Sequence, residues 1–162
     1  FDPNWARDVL HSIMAPYWVS AAKTEPTLQA ALTQVEYMRD NVIPRLCARS
    51  GHDLRLCLEM QHKILSAEMK LRASLFRAES RGTHYRQEFP YRDDANFLCA
   101  IGLSKGEDGS MQVSKIDLPD SFKGDLSQDY TTRYPGRFPG EEEALGLVTE
   151  EVEVSSEHAH KE

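Results

Sequence analysis

From Asp53 to Arg77 the chain carries its longest helical pattern, and that pattern runs straight into its densest polar segment. Leu54, Leu58, Leu65, Leu71 and Leu75 fall near one face, widened by Cys57, Ile64 and Ala67, with charged or polar residues between them. Apolar residues at such spacing predict an amphipathic helix, because residues three and four apart share a face. Asp53 is the expected N-cap. Lys70, Arg72 and Arg77 suit the negative end of the helix dipole. Gly82 is the expected left-handed residue that ends the helix.

The segment that follows reads Arg77-Ala78-Glu79-Ser80-Arg81-Gly82-Thr83-His84-Tyr85-Arg86 and continues through Phe89-Pro90-Tyr91-Arg92-Asp93-Asp94. Four arginines, a histidine, two tyrosines and two adjacent aspartates gather at a helix end. Such a junction must pair internally, grip a partner or hold a ligand.

The rest of the chain organises around this helix. Asp2 suits an N-cap and Pro3 the first helical position, where a missing N–H costs nothing. Val9, Ile13 and Met14 continue the pattern until Pro16, which must kink or restart the helix. Thr24-Glu25-Pro26-Thr27 opens a second segment whose apolar face is Leu28, Leu32, Val35, Met38 and Val42. Pro44 disturbs its end, and Ser50-Gly51 is the expected stop. Residues 96–104 and 110–118 read as two strands around Lys105-Gly106-Glu107-Asp108-Gly109, a hairpin loop. Beyond Leu118 the chain turns to Pro, Gly, Ser and acid, and Glu141 to Glu162 lacks the apolar content of a core. The expected fold is mainly α: an antiparallel three-helix bundle of spectrin-repeat type over 1–96, with its junction at 77–94. A β-hairpin extension over 97–118 and an irregular, partly flexible acidic tail over 119–162 follow. Trp5, Tyr17, Trp18 and Tyr37 read as core or domain-contact residues.

Charge narrows the function classes. Residues 1–117 hold 15 acids and 15 Lys+Arg, whereas residues 118–162 hold 11 and 4, so the tail accounts for the whole net charge of −7. No general affinity for nucleic acid or anionic membrane follows. No apolar run approaches the roughly 20 residues of a membrane span, so direct membrane insertion is not expected. Cys47, Cys57 and Cys99 show neither a metal spacing nor a disulfide framework and read as reduced thiols of a cytoplasmic protein. An opening on Phe1, with an amphipathic pattern right behind it, reads as a piece of a longer polypeptide.

Several chemistries can be weighed. Cys57 and His62 lie on different helix faces, which excludes a helical dyad. Ser80, His84 and Asp93 lack a nucleophile turn and an oxyanion hole. His84, Asp93 and Asp94 offer metal ligands, but Arg81, Arg86 and Arg92 oppose a cation. His158 and His160 in the tail read as solubilising polarity. Arg77, Arg81, Arg86 and Arg92, with His84, could hold a phosphate or carboxylate. Glu79, Glu88, Asp93 and Asp94 could equally neutralise them, and internal or interdomain pairing is the favoured reading. No glycine-rich nucleotide loop is present. No catalytic, cofactor-binding or metal residue is therefore assigned. Arg77, Glu79, Arg81, His84, Tyr85, Arg86, Arg92, Asp93 and Asp94 remain as a docking or structural motif.

Glu79-Ser80-Arg81-Gly82-Thr83-His84-Tyr85-Arg86-Gln87-Glu88-Phe89-Pro90, followed by Arg92-Asp93-Asp94-Ala95-Asn96-Phe97, resembles the C-terminal helical domain of the fumarate reductase and succinate dehydrogenase flavoprotein family. L-aspartate oxidase and the adenylylsulfate reductase alpha subunit share that stretch. The likeness is specific over 79–97 and generic over the rest of 24–118. It implies an FAD-dependent oxidoreductase whose catalytic groups lie in flavin and capping domains outside these residues. It also implies that Arg81, His84 and Arg86 tie the long helix to the flavin domain or to a partner subunit, with Asp93 and Asp94 orienting the contact. The implied partners are the FAD-binding domain of the same protein and an iron–sulfur subunit, through which membrane association would run. FAD is then a cofactor of the parent and not of these residues. The competing expectation is a stand-alone helical module whose arginines dock an acidic partner.

Overall fold

A computed structural model describes residues 1–134. The expected irregular turns at 135–140, the acidic run 141–162, His158 and His160 lie outside them. The chain divides into two units, Phe1–Gly124 and Asp125–Glu162. In the second, the described part holds one short helix (Tyr130–Arg133), where the rings of Tyr130 and Tyr134 meet edge-on at 5.1 Å.

The first unit is mainly helical. Helix α1 (Pro3–Met14) is capped by Asp2, whose carboxylate accepts from the N–H groups of Asn4 at 2.7 Å and Trp5 at 3.3 Å. Pro16 ends it and starts the single turn α2 (Tyr17–Ser20). Thr24 caps α3 (Glu25–Tyr37) in a reciprocal box with Thr27. Helix α3 then widens into a π turn, Met38–Val42, before a 3-10 turn, Ile43–Arg45. The cause lies in the sequence. The Pro44 ring would press on the carbonyl four residues back in a regular helix, and the wider turn relieves it. Met38 and Val42 both stay buried through the change.

Helix α4 (Gly51–Phe76) spans 26 residues and touches both α1 and α3, which also touch each other. Their shared core holds Ala6, Leu10, Ile13, Leu28, Leu32, Val35, Met60, Ile64 and Leu71. Across α3 and α4 runs a network of ions. Glu68, only 2 % exposed, accepts from Arg39 at 2.7 Å and from Arg72 at 2.8 Å, and Arg72 reaches on to Glu36 at 2.6 Å. Arg39 is held more firmly protonated by Asp40 first and Glu68 second.

Helix α4 departs from the sequence expectation in three ways. Its N-cap is Ser50, whose hydroxyl accepts from the N–H of Asp53, so Ser50-Gly51 starts a helix rather than stopping one. Asp53 serves the same cap from inside, accepting from the N–H of Arg49 at 3.0 Å. The helix ends at Phe76, and Gly82 (φ +57°) belongs to a later turn. The buried face is Cys57, Met60, Ile64, Ala67 and Leu71, while Leu54, Leu58 and Leu65 are 54, 52 and 50 % exposed. At about 100° per residue, Leu54, Leu58, Leu65, Met69 and Phe76 form a second stripe on another side of α4. Trp5, Tyr17, Trp18 and Tyr37 are exposed as well, outside the core.

Two small sheets complete the unit. Strand β1 (Ala22–Lys23) pairs in parallel with β2 (Tyr85–Arg86). No sequence signal announced that pairing. Strands β3 (Cys99–Lys105) and β4 (Met111–Asp117) pair antiparallel from Cys99↔Asp117 to Lys105↔Met111 and rest on α4. Gly109 (φ +83°) closes their loop.

The two faces of α4 predict different costs on truncation. Ile64→Ala or Leu71→Ala should destabilise the chain by about 2–5 kcal/mol, the usual cost of a large-to-small change in a core. Leu54→Ala and Leu58→Ala should stay within about 0.5 kcal/mol. Urea unfolding of the four variants measures this, and equal costs on both faces would refute the assignment.

Candidate functional site

Past Phe76 the backbone of α4 turns extended at Arg77, and the polar motif folds back under the helix end. Glu79 has no exposed surface. Its carboxylate pairs with Arg77 and takes both Nε and Nη2 of Arg81, each at 2.9 Å. It also accepts from the N–H of Asp93 at 2.8 Å. Arg81 reaches on to Asp94 at 2.7 Å. Arg77 donates to the carbonyls of Phe97 at 2.9 Å and Cys99 at 2.6 Å. Those two carbonyls mark the entry to β3, so one carboxylate fixes both the turn after α4 and the start of the hairpin. Phe97 is held between cations, with Arg77 5.8 Å and Lys115 4.3 Å from its ring centre.

The second half of the motif is anchored deeper. Arg86 is 1 % exposed. Its Nη1 donates to the carbonyls of Ser74 at 3.0 Å and Leu75 at 3.3 Å, which belong to the otherwise unsatisfied last turn of α4. Its Nε donates to Glu88 at 3.2 Å, and its guanidinium lies 5.4 Å from the Phe89 ring centre. Ser80 links the strand to the following turn. Its hydroxyl accepts from the N–H of Arg86 at 2.8 Å and donates to the carbonyl of Phe89 at 2.6 Å. Gly82 provides the left-handed residue of a tight turn in which Arg81 and His84 exchange backbone bonds of 2.8 and 3.0 Å.

His84 sets its Nε2 3.1 Å from the carbonyl of Arg77, so the neutral ring donates there. Burial first, then the positive charges of Lys23, Arg86 and Arg77, hold its pKa below the ordinary histidine value. Asp93 caps the short helix α5 (Asp94–Phe97), accepting from the N–H of Asn96 at 3.0 Å and its side chain at 2.8 Å. Tyr85 is exposed on β2, and Arg92 is half-buried between Tyr91 and Asp93.

The structure therefore brings Arg77, Glu79, Arg81 and Asp94 into one ion cluster, joins Asp93 to it through its backbone N–H, and sets Arg86 and His84 against the end of α4. Among the described residues no three His, Cys, Asp or Glu side chains assemble as a metal site. Sequence reasoning missed Lys23, which β1 places in register with Arg86. A two-residue strand leaves too short a pattern to read. It also missed Glu68, because one acid on a largely polar helix gives no local sign of being buried.

The family model described as "Fumarate reductase flavoprotein C-term" matches residues 7–132. One subunit of the CoM/CoB fumarate reductase of Methanothermobacter marburgensis is 30 % identical over 93 residues, 54 % of this chain and 16 % of that protein. A fumarate reductase flavoprotein subunit of Mycobacterium tuberculosis is 29 % identical over 97 residues, 57 % of this chain and 17 % of that protein. The chain thus spans about a sixth of these relatives. A quinol–fumarate reductase solved with menaquinol molecules superposes with a TM-score of 0.67 at 22 % identity, over 74 % of this chain and 22 % of that one. The Mycobacterium smegmatis Sdh1 complex in its apo form gives 0.66 at 21 % identity, over 92 % and 26 %. The chain belongs to the fumarate reductase flavoprotein C-terminal family.

Glu79→Gln leaves Arg77 and Arg81 crowded without their shared counter-charge, and should cost roughly 3–5 kcal/mol, as breaking a buried ion pair does. Glu59→Gln, whose pairs with Arg55 and Lys63 lie at the surface, should cost far less in the same unfolding measurement. His84 binds its proton less readily folded than unfolded. Below about pH 6.5 the unfolded chain takes up more protons, so stability falls as pH drops from there toward the depressed value, and this residue has no effect well above about pH 6.5. Unfolding at about pH 5 and about pH 7.5 should show a pH slope that shrinks in His84→Gln. An unchanged slope would place the titrating group elsewhere.

Proposed function

We propose that this chain is the helical domain with which an FAD-dependent oxidoreductase of the fumarate reductase and succinate dehydrogenase type braces its flavin-binding region, and that it performs no redox step itself. The observation that carries the reading is the second apolar stripe of α4, Leu54, Leu58, Leu65, Met69 and Phe76, left open by the chain's own core. An apolar stripe of this length, with Tyr17 and Trp18 also exposed, suits a surface that another domain or subunit covers. Family membership supplies the class of enzyme, and the small share of each relative that the chain spans supports a part of a longer protein.

The residues present do not suit a flavin site. A pyrophosphate needs free cationic forks or a run of backbone N–H groups at a glycine-rich turn. Here Arg77 and Arg81 close on Glu79, and Arg86 on Glu88 and the carbonyls of α4. FAD accordingly belongs to the longer protein in this reading, and no step is routed through these side chains. The docking motif acts by holding shape: it fixes the end of α4 and the hairpin so that the apolar stripe presents one rigid surface. No described helix is long and apolar enough to cross a membrane. A second subunit carrying iron–sulfur clusters is the further partner, and membrane association would run through such a subunit.

The purified chain should be colourless and retain no flavin. Its reading frame, followed upstream of Phe1, should lead into a glycine-rich dinucleotide fold. Tight, stoichiometric flavin absorbance in the isolated chain sinks the proposal, and a start codon just before Phe1 turns it toward a stand-alone interaction module.

A further inference from the structure

Lys23 is 3 % exposed, the most deeply buried lysine of the described chain. Among the described residues its ammonium makes no hydrogen bond and no ion pair. Every fully sealed side-chain nitrogen or oxygen of those residues does have a hydrogen-bond partner. The trace of surface that Lys23 keeps therefore includes its Nζ, which touches solvent. Its surroundings are positive. Arg86 is its register partner on β2, and a parallel pair turns register partners toward the same face of the sheet. Lys70 from α4 repels its charge, and its own charge opposes a proton on His84, in the turn before β2.

The buried acids of the described residues, and Glu88 beside Arg86, are already engaged. Glu88 gives one oxygen to Arg86 and the other to the N–H of Glu25 at 2.5 Å, at the start of α3. Glu79 serves Arg77 and Arg81, and Glu68 serves Arg39 and Arg72. The carbonyls that end α4 are taken by Arg86 and the backbone of Arg77. A buried ammonium without a counter-charge is costly, and proteins usually pair such a group or neutralise it. Burial first, then Lys70 and Arg86, pull the Lys23 pKa below its ordinary value. The position is thus short of one negative charge.

We propose that Lys23, flanked by Arg86, His84 and Lys70, is a binding site for a single oxyanion, a carboxylate or phosphate group that the described residues do not supply. The ammonium gives up to three donors and the neighbouring cations give the attractive field. An oxyanion here would complete the ion pairing that the buried charges Glu68, Glu79 and Arg86 already have. The inference stands independently of the flavin reading, since it concerns only groups of this chain.

The test is titration of the chain, at neutral pH, with inorganic phosphate and separately with acetate, measuring affinity by calorimetry in every variant and following the side-chain nitrogen resonance of Lys23 wherever that lysine is present. The expected result is a saturable shift with a raised lysine pKa. Binding should weaken at least about tenfold in Lys23→Met, a change worth about 1.4 kcal/mol. It should persist in Lys63→Met, an exposed lysine paired with Glu59. Lys70→Met should weaken it by a smaller factor, which keeps the proposal open to refutation where Lys23→Met fails to fold. A linear, unsaturable response, or equal affinity in Lys23→Met and the parent chain, overturns the site. In the longer protein two outcomes both support it. A Lys23 pKa already raised and indifferent to added phosphate means that a carboxylate side chain from elsewhere in the protein fills the site. A raised pKa only on adding phosphate means a free anion does. A pKa that stays depressed in both conditions overturns it.

Discussion

Glu79 sits with no exposed surface between two guanidinium groups, and the path of the chain after α4 depends on it. Its carboxylate fixes Arg77, which reaches the carbonyls of Phe97 and Cys99, and Arg81, which reaches Asp94. The N–H of Asp93 closes the ring. A buried ion cluster of this sort rarely adds much to stability over an apolar replacement, because desolvation offsets the attraction. Its effect here is geometric. Apolar side chains at these positions would tolerate several exits from the helix, whereas two forks on one carboxylate tolerate one.

The same logic recurs at two other depths. Arg86 satisfies carbonyls at the end of α4 and, through β2, brings in Lys23 and the start of α3. Glu68 ties the middle of α4 to the π turn and, through Arg72, to Glu36. The long helix is therefore tied by ions in its middle and at its end, while apolar contacts with α1 and α3 line its length. The polar segment, for which the sequence favours internal or interdomain pairing, is in large part interior, with Glu79, Ser80 and Arg86 buried. Its arginines are held as frame, and among the described residues Lys23 beside them is the buried cation left without a counter-charge.

Local rules read well from sequence. Asp2 with Pro3, and Thr24 with Thr27, satisfy helix ends through atoms within a few residues, so composition alone marks them. The hairpin around residues 105–109 is legible for the same reason: Gly109 and the Asp108 turn settle it locally. That Arg77, Glu79, Arg81 and Asp94 lie close together follows from their nearness in sequence. What they bond was not legible, because the pairing joins residues that only the folded turn brings together. The cap of α4 went astray because Ser50 and Asp53 both satisfy the rule, and either can be taken for the cap. Which face of α4 is buried is a tertiary fact. With leucines on more than one side, period alone cannot rank the sides, and α1 and α3 make the choice.

That ambiguity has a physical meaning. A helix with a single buried side gains nothing from leucines elsewhere, and exposed leucines raise the risk of non-specific association. Leu54, Leu65 and Phe76 recur about every three turns, as do Leu58 and Met69, which keeps them in line along a nearly straight helix. Two aligned apolar sides on one helix make it the shared wall of two cores. The chain's own helices build the first. Among the described residues the second stays half-exposed, with Leu103 and Met111 of the hairpin lining a cavity beside Leu65 and Met69, and the ion clusters along α4 keep that wall straight and fixed in orientation for whatever completes it.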